Sequence, residues 1–173
     1  KAKTSQAVDV ARIIHEVLAS LKPQLQARQL TVIAQPADGL AHVQGDPDQL
    51  RQVCWNLLDN AIKYNVDGGR IEISLHEQGA FLSLRVTDTG IGIPYDELPR
   101  IFERFYRVDK ARSRSSGGTG LGLAIAKHVL IRHDASLKVK SQLGKGSCFI
   151  CCFPKKRVYV KNLCKKTGNR SLK

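Results

Sequence analysis

The chain has 173 residues, of which 42% are hydrophobic and 25% charged, values typical of one soluble globular domain with its own core. No run approaches the roughly 18 apolar residues of a membrane-spanning helix, and no signal-peptide pattern is visible. Because the sequence begins with Lys and not Met, we expect a fragment of a longer protein. The formal net charge of +13 is concentrated in residues 155–173, which contain eight Lys or Arg and no acid, so it indicates a basic tail and not a basic domain.

The first predicted elements are one helix and two short strands. Residues 8–29 have apolar side chains near helical spacing, and Asp9 is suited to be the N-cap. Pro23 is expected to bend or interrupt this helix. Residues 30–34 and 40–44 are strand candidates separated by a proline and a glycine, and they could pair as a hairpin.

A second helix is predicted to start at Asp46, with Pro47 in its first position and Gln49 at the third. Apolar residues from position 50 to 61 fall on one face of this helix. At roughly 100° per residue, three polar side chains share a stripe beside that face, and a tyrosine lies at its border. These residues are Asn56, Asn60, Lys63 and Tyr64.

The chemistry of that stripe favours a phosphate-bearing ligand. Amide oxygens suit Mg²⁺, which takes a few protein oxygens together with phosphates. Lys63 could meet a phosphate as a point charge, and Tyr64 could lie against a base. The alternative is an exposed polar stripe without a ligand.

Residues 70–77 and 80–88 alternate like two strands of a hairpin, and Asp88 ends the second strand. Gly90 and Gly92 follow and free the backbone to turn. A carboxylate at a strand end, against an apolar wall, could accept a hydrogen bond from the exocyclic amine of a base. The alternative is that Asp88 merely caps a turn.

A second glycine cluster precedes an apolar run of helical length, residues 121–131. Unpaired N–H groups and the helix dipole favour an anion at such a helix N-terminus, and glycines let the backbone approach it closely. The cluster is not a Walker loop, which requires a lysine after the last glycine, and it is not a dinucleotide-binding fingerprint. The alternative is an ordinary loop. The glycines are Gly117, Gly118, Gly120 and Gly122.

After the helix at 121–133, strands are predicted at 137–141 and 147–153, which gives an α+β fold with one mixed sheet and helices on one face. The five cysteines do not form a metal clip, because a strand turns Cys148 and Cys152 to one face and Cys151 to the other. We therefore expect reduced thiols.

Five motifs in this order resemble the N, G1, F, G2 and G3 boxes of bacterial sensor histidine kinases. They are NLLDNAIKY at 56–64, DTGIGI at 88–93, IFERFYR at 101–107, GGTGLGL at 117–123 and GKGS at 144–147. ERFYRVDKARSR followed by GGTGLGLAIAKH further resembles the phosphate-regulon subfamily. The resemblance implies a Bergerat-type ATP-binding fold: a two-layer α/β sandwich with a mixed, mostly antiparallel sheet.

The resemblance also implies domain limits and a role for each residue. Residues 8–153 would be the catalytic domain, 1–7 the end of a linker, and 154–173 a disordered tail. Phe102 and Phe105 would anchor a lid. Asn60 would bind Mg²⁺ with help from Asn56. Asn60, Lys63 and Arg107 would act in catalysis on the phosphates, with Lys110, Arg112 and Arg114 as weaker candidates. The residues in contact with adenine would be Tyr64, Asp88, Gly90, Gly92, Ile93 and, through water, Ser147, and the backbone that binds phosphate would be that of Gly118, Thr119, Gly120, Leu121 and Gly122.

None of the five histidines has the context of the family's phosphoacceptor. The resemblance therefore implies a catalytic half that binds ATP and Mg²⁺ without phosphorylating itself. Its partners would be a histidine-containing dimerisation domain of the same protein, homodimeric at full length, and a response regulator. The domain would lie in the cytoplasm, with a membrane anchor only in segments outside this chain.

Three other functions remain open. An ATP-hydrolysing domain of the same fold would lack the F box and be longer. A non-catalytic nucleotide-binding module is the second alternative, although no box residue is missing. Nucleic-acid binding through the basic tail is the third, and it is not expected because such tails are usually solvated termini.

Overall fold

The computed structural model describes residues 5–35, 42–108 and 118–155. Within these ranges the chain forms seven strands, three α-helices and one 3₁₀ turn at Tyr95–Glu97. The strands are β1 Gln6–Asp9, β2 Thr31–Gln35, β3 His42–Gly45, β4 Arg70–Gln78, β5 Phe81–Asp88, β6 Ser136–Gln142 and β7 Gly146–Pro154, and the helices are α1 Val10–Ala27, α2 Pro47–Lys63 and α3 Gly122–Arg132.

Five strands form the main sheet in the order β2-β4-β5-β7-β6, and β1 pairs with β3 in a second, two-stranded sheet. Only the β2–β4 pair of the main sheet is parallel. Burial alternates along β4, where Ile71, Ile73 and Leu75 are buried and Glu72 and His76 are exposed. The buried face packs under α2 and α3, so the predicted two-layer α+β fold is confirmed.

Each long helix begins where its capping residue predicts. The Asp9 carboxylate accepts a 3.1 Å hydrogen bond from Arg12 N, and α1 then continues without interruption through Pro23. At α2, Asp46 Oδ1 accepts from Asp48 N at 3.0 Å and Gln49 N at 3.3 Å. Such caps satisfy donors that the helix leaves unpaired.

The predicted hairpin between the second and third strands is wrong. β2 runs parallel to β4, with Thr31 opposite Arg70, whereas β3 is antiparallel to β1, with Val8 opposite Val43. The four-residue β1 was not predicted, because so short a strand has almost no alternation to detect. Both strands therefore pair with partners distant in sequence.

The predicted domain limits stay a prediction, and the first and last strands lie close to them. β1 begins at Gln6, inside the predicted linker, and β7 extends to Pro154. Residues 156–173, most of the predicted tail, lie outside the described residues. None of the helices in the described ranges combines the length and apolar character that a membrane span requires.

Candidate functional site

The C-terminal end of α2 is bonded directly to the turn that follows β5. Ile91 N donates a 3.0 Å hydrogen bond to Tyr64 O, and a Cβ added to Gly90 would lie 2.2 Å from the same oxygen. No side chain fits at position 90 without moving the backbone. The last turn of α2, which carries Asn60 and Lys63, is therefore held beside the end of β5.

Asp88 lies at that strand end on the buried, helix-facing side of the sheet, opposite Ile71. Its Oδ1 accepts hydrogen bonds from Gly90 N at 2.8 Å and Ser147 N at 3.3 Å. Among the described residues, nothing donates to its Oδ2. Burial raises the pKa of Asp88, because it disfavours the charged form, and the two N–H groups partly oppose this effect.

The β6–β7 hairpin packs against the end of β5 next to Asp88. Gly146 has φ +114°, and a Cβ there would lie 2.0 Å from Asp88 O, so only glycine allows this approach. Ser147 Oγ lies 2.9 Å from Ser141 Oγ, which accepts a 2.8 Å hydrogen bond from Ile93 N. The predicted Asp88 and Ser147 are thus neighbours.

Ser141 was not predicted, although it shares this polar cluster. It lies opposite Ser147 in the hairpin register, which the length of the intervening turn could have indicated. The same hairpin also contacts Gly92, since a Cβ there would lie 2.0 Å from Gln142 O. The glycines of DTGIG therefore accommodate neighbouring protein backbone, and their predicted contact with a base stays a prediction.

The start of α3 faces the polar stripe of α2. The nearest atom to a Cβ placed on Gly122 is Asn56 Oδ1, at 3.5 Å. Leu121, in the N-cap position, makes no side-chain capping bond, and the first turn contains no acid. The buried Asn56 Nδ2 has no hydrogen-bond partner among the described residues. An unpaired side-chain amide and a helix N-terminus thus meet here, and no acidic group caps them in the described part of the chain.

The second glycine loop also meets the predicted lid. A Cβ on Gly118 would lie 3.5 Å from Arg107 Nη2 and 3.7 Å from Tyr64 Oη. Gly120 O accepts a 2.9 Å hydrogen bond from Phe105 N, while Thr119 is exposed. Arg107, Tyr64 and the glycine loop are therefore brought to one place, and their predicted contacts with a nucleotide stay a prediction. Gly117, Lys110, Arg112 and Arg114 lie outside the described residues.

The structure gives one predicted side chain an additional partner and contradicts the expected role of another. Lys63 Nζ lies 2.6 Å from Asp59 Oδ2, one turn earlier on α2, so its charge already has a protein partner. Phe105 was expected to anchor the lid by packing, but it is 71% exposed with φ +64°, so this role is wrong. Phe102 does pack against the core, and Lys127 lies over its ring.

Comparison with known proteins identifies the fold that builds this site. Residues 45–157 match the model of the Histidine kinase-, DNA gyrase B-, and HSP90-like ATPase family. The chain belongs to this ATPase family. The match covers α2, the turn after β5, the start of α3 and the β6–β7 hairpin, which together contribute the residues described above.

Similar proteins include sensor kinases, which confirms the predicted resemblance. The chain is 44% identical over 148 residues to the sensor-like histidine kinase SenX3 of Mycolicibacterium smegmatis, covering 86% of this chain and 38% of the relative. It is 47% identical over 148 residues to the phosphate regulon sensor protein PhoR of Pseudomonas aeruginosa, covering 81% of this chain and 32% of that protein. The chain thus spans about a third of each.

Solved structures show the same fold. The mycobacterial sensor histidine kinase MprB is similar with a TM-score of 0.76 and 29% identity, covering 88% of this chain and 98% of that one. Full-length ShkA, solved in complex with AMPPNP, has a TM-score of 0.75 and 25% identity, covering 88% of this chain and 32% of that one. Sequence and fold therefore agree that the described residues belong to an ATPase domain of this family.

Proposed function

We propose that this chain contains the catalytic domain of a two-component sensor histidine kinase, which transfers the γ-phosphoryl group of ATP to a histidine on a dimerisation domain. A response regulator aspartate would then receive the group. The observation that carries this proposal is the hydrogen bond from Ile91 N to Tyr64 O, because it holds the end of α2, with its polar stripe, beside the turn that follows Asp88. In this proposal the domain works in the cytoplasm, where ATP is available.

Asp88 and Tyr64 are assigned to the adenine end. Asp88 Oδ2 is an acceptor that the described residues do not use, and an exocyclic amine is a donor that matches it. Tyr64 is 38% exposed at the end of α2, where its ring can cover a base. Gly90, Gly92, Ile93 and Ser147 complete this part of the proposed site.

Asn56, Asn60, Lys63 and Arg107 are assigned to the phosphate end. An asparagine amide can present its oxygen after a half-turn, so the unpartnered amide of Asn56 fits a hard cation, and Asn60 lies one turn further on the same helix. Mg²⁺ held there would offset the charge of the phosphates. The backbone N–H groups from Gly118 to Gly122 are assigned to the phosphates as well, since Gly118 lies near Arg107 and Gly122 near Asn56.

Phosphoryl transfer requires positioning and stabilisation of negative charge more than covalent help. Lys63 is paired with Asp59 in the last turns of α2, and Arg107 lies beside Gly118, so each end of the polar stripe and glycine loop contributes a cation to the proposed phosphate site. In the proposed reaction these cations stabilise the equatorial oxygens of the γ-phosphoryl group. The accepting imidazole comes from outside this chain.

Calorimetry with ADP, with and without Mg²⁺, tests nucleotide binding. Incubation with radiolabelled ATP then tests transfer, alone and after addition of the dimerisation domain of the P. aeruginosa relative. We expect stable labelling only of the added domain. Arg107→Ala should slow it, whereas Arg104→Ala, at an exposed position of the same segment, should not. Labelling of this chain by itself, or phosphate release without labelling, would contradict the proposal.

A further inference from the structure

Arg28 lies outside the proposed site, at the C-cap of α1, and its side chain is 31% exposed. No motif includes it. Although Arg28 belongs to α1, its guanidinium donates hydrogen bonds to three main-chain carbonyls of a different element. All of these carbonyls belong to the end of α2 or to the turn that follows it.

The guanidinium donates to three carbonyl oxygens. Arg28 Nη1 lies 2.7 Å from Ile62 O and 2.9 Å from Lys63 O. Nη2 lies 2.8 Å from Asn65 O. The last carbonyls of a helix have no partner within it, and a cation is favoured there by the helix dipole. The planar fork of arginine, with five donors, can satisfy several of them at once.

The network continues from the end of α2 to the turn that carries Asp88. Asn65 is buried, and its Nδ2 donates to Arg70 O at 3.1 Å. Thr89 Oγ1 donates to Asn65 Oδ1 at 3.2 Å. Because Thr89 directly follows Asp88, this chain of hydrogen bonds reaches from α1 to the first glycine turn.

We propose that Arg28 is a positioning residue for nucleotide binding, an inference that rests on the function proposed above. Its guanidinium fixes the last turn of α2, so that Asn60 and Tyr64 are already arranged toward Asp88 before a nucleotide arrives. Helix ends fray readily when their carbonyls lack partners. Without Arg28, a nucleotide would have to order this turn itself, and its affinity would fall by that cost.

The carbonyl contacts carry this role, and the ion pair with Asp67 does not. Arg28 Nε lies 2.7 Å from Asp67 Oδ1, but the Asp67 side chain is 78% exposed. Exposed ion pairs contribute little to stability. Asp67→Asn is therefore a matched control that leaves the three carbonyl contacts in place, while Arg28→Lys keeps the charge and loses the fork.

The test uses the whole 173-residue chain and two measurements. Calorimetry with ADP and Mg²⁺ should give roughly tenfold weaker binding for Arg28→Met, an intermediate loss for Arg28→Lys and no change for Asp67→Asn. Amide exchange without nucleotide should be faster at Tyr64 and Ile91 in both Arg28 variants. It should stay unchanged at Leu84, in the centre of the sheet.

Equal ADP affinity of Arg28→Met and wild type would overturn the inference. An equal loss of protection from amide exchange at Leu84 and at Ile91 would also overturn it, because that result indicates general destabilisation of the fold. If Arg28→Met does not fold, Arg28→Lys decides by the same two criteria. Wild-type protein that does not bind ADP would refute the proposed function instead. The exchange pattern would then still decide whether Arg28 orders the end of α2.

Discussion

The main-chain N–H of Gly90 donates a 2.8 Å hydrogen bond to Oδ1 of Asp88, two residues earlier in the chain. This bond and the one from Ser147 N leave the second carboxylate oxygen without a donor in the described parts of the chain. One oxygen thus holds the turn, and the other is the atom that we propose accepts a hydrogen bond from the nucleotide. The two functions of the carboxylate can therefore be separated by mutation.

Asp88→Asn should weaken ADP binding by roughly 10- to 150-fold, because a hydrogen bond to a charged acceptor is lost. The asparagine oxygen can still accept from Gly90 N, so the turn should persist. Calorimetry at neutral pH measures the effect. Asp96→Asn, in the exposed 3₁₀ turn, is the control and should bind as wild type does. Unchanged affinity of Asp88→Asn would remove this residue from the site.

The same substitution should make the nucleotide-free chain more stable at neutral pH. The pKa of Asp88 is raised in the folded state, so the folded chain binds the proton more tightly than the unfolded chain does. The stability that protonated Asp88 contributes is therefore fully present below its unfolded pKa of about 3.9, and it is lost as the pH rises through the higher pKa of the folded state. Urea unfolding at pH 7 should favour Asp88→Asn, and the difference should shrink toward pH 4. A constant difference would contradict this account.

Two glycines of the β6–β7 hairpin should differ sharply when each is replaced by alanine. Gly144 and Gly146 both have positive φ, +80° and +114°, but only Gly146 lies against another segment, with Asp88 O 2.0 Å from an added Cβ. Gly144→Ala should cost about 1 kcal/mol from backbone strain alone. Gly146→Ala should cost about 3 kcal/mol or more, since Asp88 must also move. Urea unfolding compares them directly, and equal losses would show that crowding is unimportant.

His133 joins the end of α3 to the start of α2. Its Nε2 accepts a 3.1 Å hydrogen bond from Asp46 N, and Nδ1 donates to Val129 O at 2.8 Å, which defines the neutral tautomer. His133→Leu should lower the free energy of unfolding by about 1 kcal/mol, because the hydrogen bond from Asp46 N to the imidazole is lost. His133→Gln, with an amide oxygen near the position of Nε2, should lose less. A larger loss for glutamine than for leucine would contradict the assignment.

Four cysteines in the described ranges are free thiols, and they should differ in reactivity. Burial raises the pKa of Cys54 to about 12 and also raises that of Cys151, so neither forms thiolate at neutral pH. Cys148 and Cys152 are only half-buried, on the other face of β7. Alkylation with iodoacetamide, followed by mass spectrometry, should label Cys148 and Cys152 first. All four should react in urea, and rapid labelling of folded Cys54 would contradict the packing.

Local interactions made part of this protein predictable from its sequence. Asp9 and Asp46 cap the helices that their positions predicted, and alternation in β4 and β5 showed which side chains face the core. Residue type and order also indicated the ligand chemistry of the motifs. These features depend on groups a few residues apart, so their effect can be recognised without knowing where the rest of the chain lies.

Only the tertiary structure decided which distant segments meet. It pairs β2 with β4 and lets Ser147 N donate a hydrogen bond to Asp88. It also brings Arg28 into contact with Ile62 at the end of α2, although the two residues are 34 positions apart in the sequence. It also exposes Phe105, whose type suggested packing. Strand partners and close backbone approaches depend on how all the elements pack together, and that information is not contained in any one stretch of sequence.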